Sequence, residues 1–382
     1  MGIVGLGGMG SVHAGYIAKG EVPGAVLTAV SSLPDGNTDA ILKKLPENVK
    51  FYDNAEALFV SGEVDAVLIA TPHYLHPELA ISAFNHGLHV LVEKPAGVYT
   101  GHVREMNAAA LKSPDKVFAI MFNQRTLPIH RKIKDLIESG ELGDIKRTNW
   151  IITSWYRPQS YYDAGGWRAT WKGEGGGVLL NQCPHQLDLW QWICGMPQKV
   201  RAFCGFGRYH DIEVEDDVTA YVEYENGATG IFIASTGEAP GTNRLEIAGD
   251  NGKIVMENNK ITFWRCRVPE RQFNREFKGG FGEPEVWKCN IPFAAIGNEH
   301  REITRNFVDA ILNGSELISP GSDGLNSLEL SNAMLLSCWT DNWVELPVDD
   351  DRFYELLQVR IADSKIEKDI SQNRVMDVSG TH

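Results

Sequence analysis

The chain has 382 residues, 43% hydrophobic and 23% charged, with a formal net charge of −14. That length suffices for two hydrophobic cores, and the acidic balance argues against nucleic acid or an anionic membrane surface as the main partner. No apolar run approaches the roughly 18 residues of a membrane span. The chain opens directly in a strand without a signal-peptide pattern, so a cytoplasmic protein is expected. Cysteines stand at 183, 194, 204, 266, 289 and 338 with no C-x-x-C among them, which predicts reduced thiols and no structural zinc.

The first fourteen residues set the frame. A short apolar strand ends in Gly5, Gly7 and Gly10, spaced G-x-G-x-x-G, and a helix-compatible segment follows. This is the order of a dinucleotide-binding turn. Gly5 permits the tight turn, Gly7 lets the backbone approach a pyrophosphate, and Gly10 lets helix and strand pack closely at an anion-favouring helix N-terminus. Further apolar strands are predicted at 26–31, 64–70, 88–92 and 117–121, with helices at about 9–19, 37–44, 76–86 and 100–112. Alternating strands and helices imply a parallel sheet covered on both faces, with ligand at the carboxyl ends of its strands. Thr71-Pro72-His73 and Glu93-Lys94-Pro95 both fall at such ends.

A ribose-binding acid is expected about 20 residues beyond the glycine turn. Ser31 stands there instead, with no Arg or Lys immediately after it, and Asp35 is the other candidate for the ribose. NAD or NADP is therefore expected, with NAD favoured. An arbitrary Glu-Lys-Pro is a solvated turn. At the end of a buried strand, however, Pro95 holds Lys94 extended, and a partly buried lysine can bond to or exchange a proton with a substrate hydroxyl. His73 and His76 form H-x-x-H without a third ligand motif nearby, so no metal is expected.

The glycine turn, Thr71-Pro72 and Glu93-Lys94-Pro95, in this order and spacing, resemble the Gfo/Idh/MocA oxidoreductase family. Asn123-Gln124-Arg125 with 137–143 resembles that family's crossing into its second domain, and 321–337 its late helix. The resemblance spans about residues 2–345. It implies a pyridine nucleotide in the first domain, a sugar or cyclitol against the second, and dimers or tetramers. The residues expected at the cofactor are Gly5, Gly7, Gly8, Met9, Gly10, Ser31, Thr71, Pro72, His76, Glu93, Lys94 and Asn123.

From about residue 124 the pattern changes. A helix over 127–139, ended by Gly140, leads into β-rich stretches at 145–155, 199–209, 217–225, 228–235, 243–248, 252–257 and 260–264. Glu225-Asn226-Gly227 and Asp250-Asn251-Gly252 are hairpin signals. The fold class expected is α/β: an N-terminal Rossmann domain over 1–123, then an α+β domain over 124–345 with a large, mainly antiparallel sheet. A C-terminal helix and loose tail should occupy 346–382, and no internal repeat is visible. Helices at about 182–194, 298–313 and 322–340 are expected to cover one sheet face. Val222, Ile231 and Ile233 are expected on the other, as a surface for homo-oligomers.

Residues 155–192 mix aromatic and polar residues on a glycine-broken stretch. Trp190 and Trp192 read as core. Trp155, Tyr156, Trp167 and Arg168 suit the flat faces and hydroxyls of a carbohydrate. Pro184 sits naturally in the first turn of a helix carrying His185 and Asp188 on one face. His185 matches the family's catalytic histidine. Asn181 stands where the family has an aspartate, and an amide cannot titrate. That loads the proton chemistry onto Lys94 and His185, with Asn181 binding a hydroxyl and Asp188 either orienting His185 or serving packing. The leading expectation is an NAD(P)-dependent dehydrogenase or reductase of a sugar, glycoside or cyclitol. An NAD-dependent glycosidase with transient oxidation, or a nucleotide-sensing regulator on the same fold, are the alternatives.

Overall fold

The computed structural model describes residues 1–33, 36–164, 166–294, 297 and 299–366. The first unit runs β1 (Gly2–Val4), α1 (Gly8–Ala18), β2 (Ala29–Ser31), α2 (Gly36–Leu42), β3 (Lys50–Tyr52), α3 (Ala55–Phe59), β4 (Ala66–Ile69), α4 (Leu75–Asn85), β5 (His89–Val92), α5 (Thr100–Leu111) and β6 (Phe118–Ile120). Its six strands are parallel in the order β3-β2-β1-β4-β5-β6. The order reverses between β1 and β4, which opens a crevice at their carboxyl ends. β4 and β5 read Ala-Val-Leu-Ile and His-Val-Leu-Val, with Val67, Leu68, Ile69, Val90, Leu91 and Val92 fully buried. Near-continuous apolar runs are what a strand covered on both faces requires.

A 3-10 turn (Asn123–Thr126) and α6 (Pro128–Glu138) lead into β7 (Ile145–Ile152), α7 (Gln159–Asp163) and α8 (Pro184–Cys194). There follow β8 (Lys199–Phe206), β9 (Glu215–Glu223), β10 (Thr229–Ser235), β11 (Asn243–Gly249), β12 (Gly252–Glu257), β13 (Lys260–Cys266), α9 (Glu270–Glu276) and β14 (Val286–Ile291). α10 (Glu299–Asn313), α11 (Gly324–Thr340), β15 (Val344–Glu345) and α12 (Asp350–Ala362) complete it. The nine-stranded sheet has the order β14-β13-β12-β11-β7-β10-β9-β8-β15. Only β7 and β10 pair in parallel among these neighbours. Gly227 takes the positive φ, +84°, that its tight β9–β10 turn needs.

α11 is buried on every side from Ser327 to Ser337, because it lies between β8 on one hand and α5 and α8 on the other. It is the wedge that joins the two units. One core cluster runs continuously from Val67 and Val90 to Trp150 and Phe232.

Several expectations need correction. The helix at 298–313 does not cover the second sheet. Ile303, Phe307 and Val308 of α10 pack with Ile3, Leu6, Tyr16 and Leu91 of the first unit. Val222 is fully buried on the helix-covered face, because β9 alternates buried Val218, Ala220 and Val222 with exposed Thr219 and Tyr221. Ile231 does point to the open face, paired with Tyr221, and Ile233 lies two residues on. β2 starts at Ala29 rather than Val26, which is exposed. β3, α3, α7, α9, β14 and β15 carry too little apolar pattern to have been predicted. The helix expected in the tail is α12, anchored by buried Phe353 and Leu357. The loose end expected beyond it lies outside the described residues.

Candidate active site

The turn after β1 has the geometry of an anion cradle. Gly5 has φ +92°, and a Cβ there would stand 2.7 Å from the Ala70 carbonyl oxygen. A Cβ on Gly10 would stand 1.8 Å from the Gly5 carbonyl oxygen. Gly7 is the opposite case: nothing lies within 4 Å of its Cβ position. Gly7 is also the N-cap of α1, and no side chain caps that end. Gly8 and Met9 form the first turn, half-buried beside it. Close packing under the turn and open space over it fit a dinucleotide pyrophosphate. At the other strand ends, buried Thr71 Oγ1 after β4 and Asn123 Oδ1 after β6 have no partner among the described residues.

Behind the cradle, Glu93 closes a buried hydrogen-bond line. Its Oε1 meets His13 Nε2 at 2.6 Å; His13 Nδ1 meets the Tyr16 hydroxyl at 2.5 Å; that hydroxyl meets Thr304 Oγ1 at 2.7 Å. Burial alone would raise the Glu93 carboxyl, but the bond and charge of His13, with His300 and Lys94, outweigh it and hold the group at about 2. Its other oxygen accepts the Lys94 backbone N–H at 3.1 Å. A permanent carboxylate therefore lies directly beneath Lys94. Asn123 Nδ2 donates to Glu299 Oε2 at 3.1 Å and lies 3.4 Å from His300 Nδ1, so α10 also reaches this corner.

On the opposite side, Lys94 Nζ donates to the Asn181 carbonyl oxygen at 3.0 Å. Burial lowers the Lys94 ammonium from its ordinary value; Glu93 and Glu174 pull it up again while Arg168 and Arg157 push it down. The Asn181 amide donates to Glu174 Oε1, and Glu174 Oε2 accepts the Ala169 N–H at 2.6 Å. His185, in the first turn of α8, is held well below 6.5 by burial and by Lys94 and His300. Its Nδ1 is buried without a partner among the described residues. The result is a neutral imidazole with an unspent nitrogen close to a cationic lysine.

Tyr161 is the hub of the next layer. Its hydroxyl accepts from Arg168 Nη1 at 2.8 Å and Gln182 Nε2 at 3.2 Å, and lies 3.5 Å from Asn181 Oδ1. The Arg168 guanidinium lies 4.6 Å from the Trp167 ring centre and 4.7 Å from that of Tyr161. Trp167 meets the His73 ring edge-on at 5.2 Å. Trp155 donates to Gln186 Oε1 at 3.3 Å and lies under Arg157.

The sequence expectations divide accordingly. Lys94, Asn181, His185, Trp167 and Arg168 come together, and Trp155 joins through Arg157. Tyr156 does not: it is about half exposed, and its side chain has no bond or ring contact to this group among the described residues. Asp188 does not orient His185, because Arg125 takes both its oxygens, at 2.8 and 2.6 Å. His76 is not free for a cofactor, since its ring nitrogens meet the Pro95 and Thr71 carbonyls, each at 2.7 Å. It pins the loop after β4 instead. Ser31 is 2% exposed, so its side chain is not open to a ribose, and its carbonyl accepts the Gly5 N–H at 2.7 Å. Pro72 is exposed at the crevice edge. Asp35 lies outside the described residues. His13, Tyr161, Glu174 and His300 were not anticipated. A carboxylate set among glycines, and a histidine one turn past Gly10, were the available signals.

A doubly wound sheet with an open glycine turn at a helix N-terminus, joined to a second unit that carries His185 near a buried lysine, fits a two-domain oxidoreductase of the nucleotide-binding kind. Residues 1–121 match the profile of the oxidoreductase family with an NAD-binding Rossmann fold, and residues 130–255 match the Gfo/Idh/MocA C-terminal domain. The chain belongs to the Gfo/Idh/MocA family and is an NAD(P)-dependent oxidoreductase. It is 27% identical over 322 residues to the levoglucosan dehydrogenase of Pseudarthrobacter phenanthrenivorans, covering 75% of this chain and 80% of that one. It is 28% identical over 330 residues to the scyllo-inositol 2-dehydrogenase (NAD(+)) of Bacillus subtilis, covering 81% and 90%. Among solved structures, the WlbA dehydrogenase of Chromobacterium violaceum in complex with NADH and UDP-GlcNAcA superposes with TM-score 0.77 at 27% identity, covering 91% of this chain and 96% of that one.

Proposed function

We propose that the chain oxidises a ring hydroxyl of a sugar, glycoside or cyclitol, or reduces the matching ketone, with NAD favoured over NADP. The observation that supports this best is the placement of His185, whose Nδ1 has no partner among the described residues, near Lys94 at the carboxyl end of β5. A nicotinamide nucleotide held at the Gly5–Gly10 turn would supply the hydride acceptor. His185 takes the hydroxyl proton, since its depressed basicity leaves it unprotonated near neutral pH. Lys94, tethered by one N–H to the Asn181 carbonyl, has its remaining N–H groups for the oxygen that becomes negative. Asn181 cannot carry a proton; its amide is tied to Glu174, which supplies the carboxylate charge of this quarter. Trp167 and Trp155 offer flat faces to the ring.

Lys94→Ala and His185→Ala should each lower turnover by at least about 10²-fold and leave cofactor affinity intact. Asn181→Ala should act mainly on KM. The sign of the pH dependence follows from the two shifts. Oxidation needs His185 unprotonated, so its acid limb should lie below the ordinary imidazole value of 6.5. It needs Lys94 charged, so the alkaline limb should lie below 10.5. The assay is NADH absorbance against pH with a sugar and polyol panel. Wild-type turnover and an unchanged profile in His185→Ala would remove it as the base.

A further inference from the structure

The pocket holds more positive charge than its carboxylates balance. Arg157 and Arg168 both lie against the Tyr161 ring, with guanidinium carbons 5.1 and 4.7 Å from its centre. Neither has an ion-pair partner among the described residues. Of the other described arginines ten have one, such as Arg104, Arg125, Arg208 and Arg301, and Arg131, Arg147, Arg275, Arg305 and Arg360 do not. Arg157 Nε is buried and unbonded. The nearby carboxylates have other hydrogen-bond partners, and Glu93 and Glu174 act on Lys94 rather than forming an ion pair with either arginine. Glu174 is turned to Asn181 and Ala169; Asp216 accepts the Arg208, Tyr209 and His210 N–H groups and pairs with the His210 ring; Glu93 is held by His13.

Both guanidiniums are close enough to Lys94 to disfavour its charge. His73 is held well below its ordinary value by burial, then by His76, Lys94 and Arg168, and His185 by burial, then by Lys94 and His300. All this occurs in a chain whose formal charge is −14. Aromatic stacking fixes the position of each guanidinium but supplies no opposite charge. The fork of Arg168 spends one nitrogen on the Tyr161 hydroxyl and has others for a planar oxyanion.

We propose that the substrate is an acidic sugar: Arg168 and Arg157 hold a carboxylate at the end of the ring remote from the hydroxyl oxidised between Lys94 and His185. This rests on the dehydrogenase reading and names its substrate class. An anion between these groups relieves the repulsion present without it, and the neutral histidines leave the two arginines to bind it. A sugar phosphate shares the oxyanion chemistry, and the test separates it from a carboxylate.

The experiment compares kcat/KM, by NADH formation on the intact enzyme, for sugars that differ only at C6: glucose against glucuronate and glucose 6-phosphate, and the galactose set likewise. The carboxylate member should exceed the neutral one by at least about 10²-fold, with its KM rising as salt is added. Arg168→Met should cut that ratio at least about tenfold; Arg168→Lys, which keeps charge and bulk, should cut it less and serves if the methionine variant does not fold. Equal kcat/KM for neutral and acidic members, with oxidation intact, overturns the acidic-sugar assignment and leaves the dehydrogenase reading standing. A preference for the phosphate over the carboxylate, lost in Arg168→Met, assigns the oxyanion to a phosphate ester and overturns the carboxylate. No NADH from any member, while another sugar or polyol of the panel is oxidised, overturns the acidic-sugar assignment alone; no NADH from the whole panel overturns both.

Discussion

Gly7 and Gly10, three residues apart in the same turn, should fail in opposite ways when given a side chain. At Gly10 the added Cβ would sit 1.8 Å from the Gly5 carbonyl oxygen, a backbone atom that cannot swing aside. Gly10→Ala must push α1 off β1, beyond the about 1–3 kcal/mol of ordinary overpacking. A loss near 3 kcal/mol would lower Tm by about 6 °C, at roughly 2 °C per kcal/mol. At Gly7 the backbone has φ −68° and ψ −163°, open to any residue, and the Cβ position has no neighbour within 4 Å. Gly7→Val should fold, at a cost near 1 kcal/mol for a poorer N-cap. Its methyls fill the space over the α1 N-terminus, however, and hold an anion away from the N–H groups. Each charge-assisted bond lost is worth about 1.5–3 kcal/mol, so the NADH dissociation constant should rise about 10²-fold. Thermal unfolding and NADH fluorescence titration read the two effects separately. A folded Gly7→Val protein with unchanged affinity, or a Gly10→Ala protein as stable as its parent, would refute the cradle.

Glu215 lies under the Gly175–Gly177 bend, its Oε1 accepting the Gly177 and Leu179 N–H groups at 2.8 and 3.0 Å. Burial pushes its carboxyl up from 4.5 to about 7 despite those bonds. A folded-state value above the unfolded one means that its stability contribution is present below pH 4.5 and is lost as the pH rises through 7. Glu215→Gln should therefore gain on the parent by about 3 kcal/mol between pH 4 and 8, measured by denaturant unfolding; a constant difference would refute the shift. The open face of the second sheet presents Phe203, Tyr221, Ile231 and Trp264, each more than a third exposed, and we propose that a second copy covers it. Light scattering should give a multiple of 42.4 kDa, and Ile231→Lys should shift it toward the monomer; a monomer at micromolar concentration in the parent would overturn this.

Much of the fold was legible because periodicity carries it. β4 and β5 are apolar runs of strand length, and Asn226-Gly227 marks a hairpin whatever the partners. What escaped depends on distant packing. α10 has an amphipathic pattern that suits either sheet, and only tertiary contact sends Ile303 and Phe307 to Ile3 and Leu91. Val222 was assigned to the wrong face because a one-residue parity error reverses every side chain of a strand. The site shows the same division. Lys94 and His185 were readable because each stands in a short motif at an element end. Tyr161 and Tyr156 stand in one aromatic stretch with no period to rank them, and the structure makes Tyr161 the hub. His13 and Thr304 meet across α1 and α10 through Tyr16, a contact that no local pattern encodes.

The amide at 181 changes meaning once its neighbours are known. From sequence, Asn181 is an acid lost, and Asn181→Asp would restore it. In the structure a carboxylate seven residues earlier, that of Glu174, accepts from the Asn181 amide, and we propose that it stands in for that acid. Lys94 is held by the residue 181 backbone carbonyl, which no side-chain change removes. Asn181→Asp would therefore set two carboxylates in contact inside a buried pocket. They cannot both ionise cheaply, so one should keep its proton near neutral pH. The variant should show an added ionisation in its kcat/KM profile and lose stability as the pH rises through it. Combining the change with Glu174→Gln returns a single carboxylate and a single amide to the pair, with their positions exchanged, and should remove both effects. The measurement is kcat/KM and thermal stability from pH 5 to 9 for the parent, the single variant and the double variant. An Asn181→Asp protein that matches the parent at every pH would mean that Glu174 and the residue 181 side chain do not share a site, and Glu174 could not then be the displaced acid.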